Sequence, residues 1–108
     1  MVQITFDDFA KLDLRVAKIV EVEKISGKSK IVKGVIDLGV EKREVIIGGA
    51  EYYKPEELLN RKVIVVANLE PRKIAAIESN AMLLAADFDG KPFWLTVNED
   101  VPLGTKVK

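Results

Sequence analysis

The sequence contains no cysteine and no histidine among its 108 residues. Without cysteine the chain can form neither a disulfide nor a zinc–cysteine site, and it has no thiolate nucleophile. Without histidine it lacks the commonest general base and the commonest metal ligand. These two absences disfavour catalytic and metal-centred functions, and we expect neither a cofactor nor a metal.

Long apolar runs are also missing, because none approaches the roughly 20 residues that a membrane-spanning helix needs. The first residues show no basic-then-apolar signal pattern. We therefore expect a cytoplasmic protein with no membrane partner. The apolar share of 48% is normal for a folded core. A chain of this length makes one domain that buries about 65% of the surface exposed by its unfolded form.

The chain carries no net charge, since 17 basic and 17 acidic side chains cancel. Their distribution is uneven. Residues 11–33 hold seven cations against three acids, residues 61–74 hold four against one, and residues 75–100 hold one against five. If the two basic stretches meet in the fold, one face is positive and suits a polyanion. Otherwise the charges form an ordinary mixed surface.

Turn residues recur about every 8–12 positions between short runs rich in β-branched residues, which is typical of a small all-β barrel or sandwich. Thr5 is a suitable N-cap for a short helix over residues 6–11, and Pro55 begins another over residues 55–59. Lys18 lies on the apolar side of the first strand and indicates either a bulge there or a strand that changes faces. The predicted strands cover residues 14–24, 31–38, 42–48, 61–69 and 82–88, with a return strand over 92–97 and a short strand near the C-terminus. A short helix before the fourth strand is the layout of an OB-fold, so residues 1–108 are predicted to form a single five-stranded OB-fold barrel.

Polar side chains cluster in two runs, VANLEPRK (residues 66–73) and ESNAMLLAA (residues 78–86). An amide, two cations and a hydroxyl at one rim of a β-domain would suit a polyanion better than they would suit bond breaking. We expect Asn68 to be buried at the end of a central strand. In that position an asparagine satisfies loop backbone in roughly half of cases, so a structural role is weighed equally with a binding role. Arg72 and Lys73 are expected to flank a turn at Pro71.

Other motifs favour structural roles. Gly27-Lys28-Ser29 resembles the end of a phosphate loop, but Val22 stands where a Walker motif needs glycine, and no long helix follows. We expect a flexible cationic loop instead. The paired acids, such as Asp7-Asp8 and Glu56-Glu57, fall at helix starts, where the helix dipole explains them. Tyr52-Tyr53 could stack bases, but anchoring of the short helix is favoured, and the aromatic share of only 6% suits recognition of folded RNA through its backbone and shape.

At these runs the chain resembles the tRNA-binding domain family. Its members include the C-terminal or separate β subunit of methionyl-tRNA synthetase and stand-alone structure-specific tRNA-binding proteins. The matching stretches span nearly the whole chain in the right order: residues 6–20, the DLG turn at 37–39, residues 50–73, residues 78–86 and the final VPLGTKVK.

The resemblance implies an OB-barrel without chemistry of its own that binds tRNA rather than DNA and aids aminoacylation. It implies a β subunit or accessory domain that raises the tRNA affinity of methionyl-tRNA synthetase, whose catalytic chain would be a partner. It also implies a homodimer, to which the terminal apolar residues Val101, Leu103 and Val107 would contribute. The tRNA-binding positions carried over are Asn68, Arg72, Lys73, Ser79 and Met82, together with the basic loop and strand residues Lys28, Lys30 and Lys33.

Two alternatives remain open. A secretion-type dimeric chaperone of the same fold would bind peptides, and it would place an apolar groove where the cationic rim is expected. The intact ANLEPRK and ESxxM runs favour tRNA over that function. A purely structural docking module on a synthetase is the third interpretation.

Overall fold

A computed structural model describes all 108 residues of the chain. It confirms the predicted all-β class, with a nearly closed five-stranded barrel and two short helices. In chain order the elements are α1 (Phe6–Ala10), β1 (Leu14–Lys24), β2 (Ile31–Asp37), β3 (Lys42–Gly48), α2 (Pro55–Leu58), β4 (Lys62–Val66), β5 (Arg72–Ile74), β6 (Ile77–Ser79), β7 (Met82–Leu83), β8 (Ala85–Phe88), β9 (Lys91–Trp94) and β10 (Lys106–Val107).

The barrel strands are hydrogen-bonded in the order β3-β2-β1-β4-β7, and β10 also pairs with β1. The long strand β1 serves two neighbours, because its first half pairs with β4 and its second half with β2. The pairing of β1 with β2 shifts register between Ile19 and Glu21, which confirms the predicted irregularity in this strand. β3 and β7 lie at the two ends of the sheet, so a seam between them leaves the barrel open on one side.

The core fills the barrel with aliphatic side chains from every one of these five strands. Residues 63–66 of β4 are all buried, as the unbroken apolar run predicts for a strand covered on both faces. Leu58 of α2 is fully buried and packs within the same core. Both helices begin as predicted, since Thr5 caps α1 by accepting the Asp8 N–H at 3.0 Å and Pro55 opens α2.

Two parts of the strand prediction are wrong. The fifth strand is broken into β7 and β8, because Leu84 bonds on one side to Ile64 and on the other to Leu95. The Leu95 N–H donates to the Leu84 carbonyl, and the Leu95 carbonyl accepts the Ile64 N–H, so Leu95 is bonded to both residues. After this point β8 leaves the barrel and forms a separate hairpin with β9. The β5–β6 hairpin was not predicted at all.

The C-terminal segment docks against the turn after β2. Gly39 and Gly104 both have positive φ, at 88° and 87°, a conformation that glycine adopts without strain. A Cβ on Gly39 would overlap Leu103, and one on Gly104 would overlap Leu38. The DLG turn and the VPLGTKVK tail therefore fit together as one closely packed unit. Neither helix of the chain is long and apolar enough to cross a membrane.

Candidate nucleic-acid interface

The predicted site residues Arg72, Lys73 and Ser79 lie on the β5–β6 hairpin. Arg72 pairs with Ser79 and Lys73 with Glu78, and the strands are joined through Ala75 and Ala76 at φ of 53° and 65°. Arg72 and Lys73 therefore do not flank a proline turn as expected. Adjacent residues of a strand point to opposite faces, so the two cations face different ways and Lys73 lies on the face that carries Glu78.

Ser79 is buried and uses both hydrogen-bonding capacities of its hydroxyl within the protein. Its Oγ accepts the Ile46 N–H at 3.0 Å and donates to the Ala81 carbonyl at 3.1 Å. The Asn80 N–H donates to the Glu44 carbonyl at 3.0 Å. These bonds hold the hairpin against the free edge of β3, so Ser79 positions the hairpin beside the seam.

Arg43 was not singled out in the sequence, yet it links three parts of this region. Its guanidinium donates to the carbonyl oxygens of Ala67 and, at 3.2 Å, of Asn80. It also pairs with Glu41 at 2.6 Å. The half-buried side chain thus joins β3 to the end of β4 and to the exit of the hairpin. No sequence motif marks this role, because it depends on which carbonyls the fold brings to β3.

Asn68 is exposed rather than buried, which corrects the expectation from its place after an apolar strand. Its side-chain amide nevertheless bonds at both ends to backbone of the segment between α1 and β1. These two hydrogen bonds agree with the interpretation that Asn68 satisfies loop backbone. Its neighbour Leu69, rather than Asn68 itself, lines the groove described next.

An open groove follows the seam between β3 and β7, and we call it the seam groove. Residues 46–49 form one wall and residues 82–85 the other. A cavity of about 440 Å³ reaches Pro92 and Trp94 at one end. A second cavity of about 220 Å³ continues it past Met82 to Arg72, Ser79 and Ile31. The walls are largely apolar, and the indole N–H of Trp94 is buried without a hydrogen-bond partner.

The basic loop lies at the β2 end of this groove. Lys28 and Lys30 are exposed and form no ion pair, whereas Lys33 lies 3.6 Å from Glu44 and 3.9 Å from Glu23. Two carboxylates beside one ammonium reduce its attraction for a phosphate. Ile31, the residue after Lys30, lines the groove together with Arg72. The fold thus brings part of the two basic stretches together.

Three of the eight predicted positions, Arg72, Ser79 and Met82, line the seam groove. Lys28 and Lys30 lie next to its β2 end. Lys33 is ion-paired, Lys73 faces the other side of the hairpin, and the amide of Asn68 is engaged with backbone. Arg72, Lys28 and Lys30 are therefore the predicted cations that are exposed, unpaired and at the seam groove, whereas Lys73 is exposed and unpaired on the other face of the hairpin.

Tyr53 lies beyond the other end of the groove. Its hydroxyl donates to the Pro92 carbonyl at 2.6 Å, and its ring lies 6.3 Å from that of Trp94. It packs against the core, which agrees with the anchoring role favoured over base stacking. Tyr52 is exposed. No three Asp or Glu side chains are grouped so that they could hold a metal ion.

Comparison with known proteins places this geometry in a family. The model of the family described as "Putative tRNA binding domain" matches residues 14–106. The chain belongs to the tRNA-binding domain family. A methionine–tRNA ligase of Methanocella arvoryzae is 52% identical over 106 residues, which cover 97% of this chain and 15% of that protein. This tRNA-binding domain spans about one sixth of the length of the curated relatives it matches.

Solved structures share the whole fold of this tRNA-binding domain. A MetRS related protein from Pyrococcus horikoshii has a TM-score of 0.94 at 38% identity, and the match covers 100% of both chains. The chaperone CsaA from Bacillus anthracis has a TM-score of 0.89 at 26% identity, and the match covers 99% of this chain and 100% of the other. The overall fold is thus shared by two kinds of protein.

Proposed function

We propose that the protein is a non-catalytic, structure-specific tRNA-binding module that acts as a β subunit or accessory domain of methionyl-tRNA synthetase and raises its affinity for tRNA. The observation that carries the proposal is the family match over residues 14–106. Its physical support is the group of exposed, unpaired cations Lys28, Lys30 and Arg72 at the seam groove. Phosphate contacts from such side chains supply affinity that does not depend on base sequence.

The acidic residues support a binding role rather than a catalytic one. Asp7 and Asp8 lie in the first turn of α1, and Glu56 and Glu57 lie in the first turn of α2. Negative charge is stabilised at those places by the helix dipole. The side chain of Glu57 also accepts the N–H of Lys54 at 2.9 Å and so caps its helix. These carboxylates stabilise the starts of their helices and do not converge on a pocket.

The proposed module is a homodimer, and the N-terminal segment supplies the surface for it. Val2, Ile4 and Phe6 are 90%, 66% and 79% exposed, and α1 buries none of its residues within the chain. Apolar side chains exposed together favour coverage by a partner. The C-terminal residues expected at the interface, Val101, Leu103 and Val107, are instead half-buried within their own chain. A second copy would double the number of cations that meet one tRNA.

The experiment that tests tRNA recognition compares folded tRNA with unstructured RNA of equal length. A structure-specific binder should prefer folded tRNA at moderate salt, and adding the protein to the catalytic part of a methionyl-tRNA synthetase should lower the KM for tRNA without changing kcat. Equal affinity for both RNAs would reject structure specificity. An unchanged KM would reject the accessory role.

The apolar walls of the seam groove favour one second candidate, peptide binding of the kind expected for a chaperone. Gly48 lines both cavities, its φ is not positive, and nothing lies within 4 Å of a Cβ placed there. Gly48→Leu would therefore fill the groove without disturbing the barrel. A peptide binder should suppress the aggregation of an unfolded client at high salt and lose that ability in Gly48→Leu. A protein that suppresses no aggregation is not a chaperone of this kind.

A further inference from the structure

Two cations share the ring of Tyr53. The guanidinium carbon of Arg61 lies 5.4 Å from the ring centroid, and the ammonium of Lys91 lies 5.5 Å from it. The same ammonium is 5.2 Å from the ring centroid of Phe93. Tyr53 is itself fixed by the hydrogen bond from its hydroxyl to Pro92 and by its contact with Trp94. We call Tyr53, Arg61 and Lys91 the tyrosine cluster.

The aromatic ring holds these two cations without neutralising them. Neither Arg61 nor Lys91 forms an ion pair, although Lys11, Arg15, Lys33, Arg43 and Lys62 each have a carboxylate partner. Contact with an aromatic face attracts a cation through the ring quadrupole and leaves its net charge in place. Both side chains are half-buried, so less rotamer freedom remains to be lost when an anion binds. They are unpaired cations already held in position.

The tyrosine cluster is joined to the basic loop by one short segment, residues 48–53. At one end of this segment the Ala50 N–H donates to the Lys30 carbonyl at 3.1 Å. At the other end the Tyr53 hydroxyl donates to Pro92, the residue after Lys91. Ala50 and Tyr53 are three residues apart, so their Cα atoms lie at most about 11 Å from each other. A distance of this size is spanned by a few consecutive phosphates of an RNA backbone.

We infer that Arg61 and Lys91 bind phosphates of the same RNA backbone that Lys28 and Lys30 contact, so that the RNA crosses residues 48–53. This inference rests on the proposed function and extends the binding surface to a position outside the VANLEPRK and ESNAMLLAA runs. Lys91 is the only cation of the acidic stretch 75–100. The tyrosine cluster gives that otherwise acidic stretch a contact of positive sign.

The test is the salt dependence of tRNA binding by the full chain in three variants. Arg61→Gln with Lys91→Gln removes both charges. Lys106→Gln with Lys108→Gln removes two exposed, unpaired charges near the C-terminus and is the matched control. Arg61→Lys with Lys91→Arg keeps both charges. The Gln pair should reduce the magnitude of the slope of log affinity against log salt by roughly 1.4 to 1.8, at 0.7 to 0.9 for each lost phosphate contact. The control and the charge-preserving pair should keep slopes close to wild type.

The outcomes separate this inference from the function on which it rests. If wild type binds tRNA and the Gln pair changes the slope no more than the control does, Arg61 and Lys91 do not contact phosphates. If the charge-preserving pair loses as much as the Gln pair, their role is structural and the inference fails as well. If wild type does not bind tRNA, the proposed function itself fails. Thermal unfolding of each variant verifies that it is folded at the assay temperature.

Discussion

The side chain of Asn68 holds the backbone of Asp13 in place across 55 residues of sequence. Its Oδ1 accepts the Asp13 N–H at 2.8 Å, while its Nδ2 donates to the Lys11 carbonyl at 2.7 Å. The end of β4 is thereby joined to the segment that leads from α1 into β1. Because both ends of the amide are occupied, Asn68 shapes the rim of the barrel rather than offering free hydrogen bonds to a ligand.

Asn68→Ala should therefore reduce the free energy of unfolding and leave the salt dependence of tRNA binding close to that of wild type. Losing two partly exposed hydrogen bonds costs about 1–2 kcal/mol in the free energy of unfolding. For a domain of this size that corresponds to a fall in Tm of roughly 4–16 °C. Thermal unfolding and a salt titration on the same sample make the comparison. An unchanged Tm combined with a flatter salt slope would mean that the amide contacts RNA directly.

Arg72 and Lys73 should differ although they are neighbours. Arg72 lines the seam groove, whereas Lys73 lies on the other face of the hairpin opposite Glu78. Arg72→Gln should lower the log–log salt slope of tRNA binding by about 0.7 to 0.9, the value of one lost phosphate contact. Lys73→Gln, with the same loss of charge, should change it less. Equal effects of the two variants would show that the face of the hairpin is irrelevant.

Gly48 and Gly49 are adjacent but should respond differently to alanine. Gly49 has a φ of 76°, and a Cβ there would overlap the ring of Pro92. Left-handed backbone and overpacking together make Gly49→Ala destabilising by about 2–4 kcal/mol. Gly48→Ala meets open space and should change the free energy of unfolding by less than about 1 kcal/mol. Denaturant unfolding of both variants decides this, and similar stabilities would contradict the close contact with the β8–β9 hairpin.

Phe6→Glu should separate the proposed homodimer into monomers. Phe6 stands among the exposed apolar residues of the N-terminal segment, and a charge there disfavours burial against a second copy. Phe88→Glu, which changes an aromatic residue that is 68% exposed on the β8–β9 hairpin, is the matched control. Light scattering should give twice the chain mass of 12.0 kDa for wild type and the control, and the single mass for Phe6→Glu. A monomeric wild type rejects the dimer.

Asp13 should contribute to the loss of stability in acid. The hydrogen bond from Arg15, at 2.6 Å, holds the pKa of the Asp13 carboxyl below its ordinary value of 3.8. A lowered pKa means that the stabilisation is complete above pH 3.8 and disappears as the pH falls through the lowered value. Solvent screening limits the contribution of the Asp13–Arg15 pair to the free energy of unfolding to about 1 kcal/mol or less. Asp13→Asn should remove this part of the acid dependence, and unfolding curves between neutral pH and strong acid would show no difference from wild type if the pair is inert.

The sequence predicted the barrel well because local signals agreed with the fold. β1 and β3 begin and end at the predicted residues, and the prolines, glycines and capping residues place both helices. The β5–β6 hairpin was missed because its turn is Ala75-Ala76, without the glycine or asparagine that marks positive φ in a sequence. The ion pairs of Lys33 were invisible for another reason. Only the register places Glu23 directly opposite it and brings Glu44 of β3 beside it.

In the proposed function, exposed lysines and arginines at the seam groove bind the phosphates of tRNA. The most direct measurement is the affinity of wild-type protein for total tRNA at several salt concentrations from roughly 50 to 200 mM. Contacts from Lys28, Lys30 and Arg72 predict a straight log–log plot with a slope of about −2 to −3, and the inferred contacts of Arg61 and Lys91 make it steeper by about 1.4 to 1.8. A slope near zero, or no binding at the lowest salt, would contradict the account.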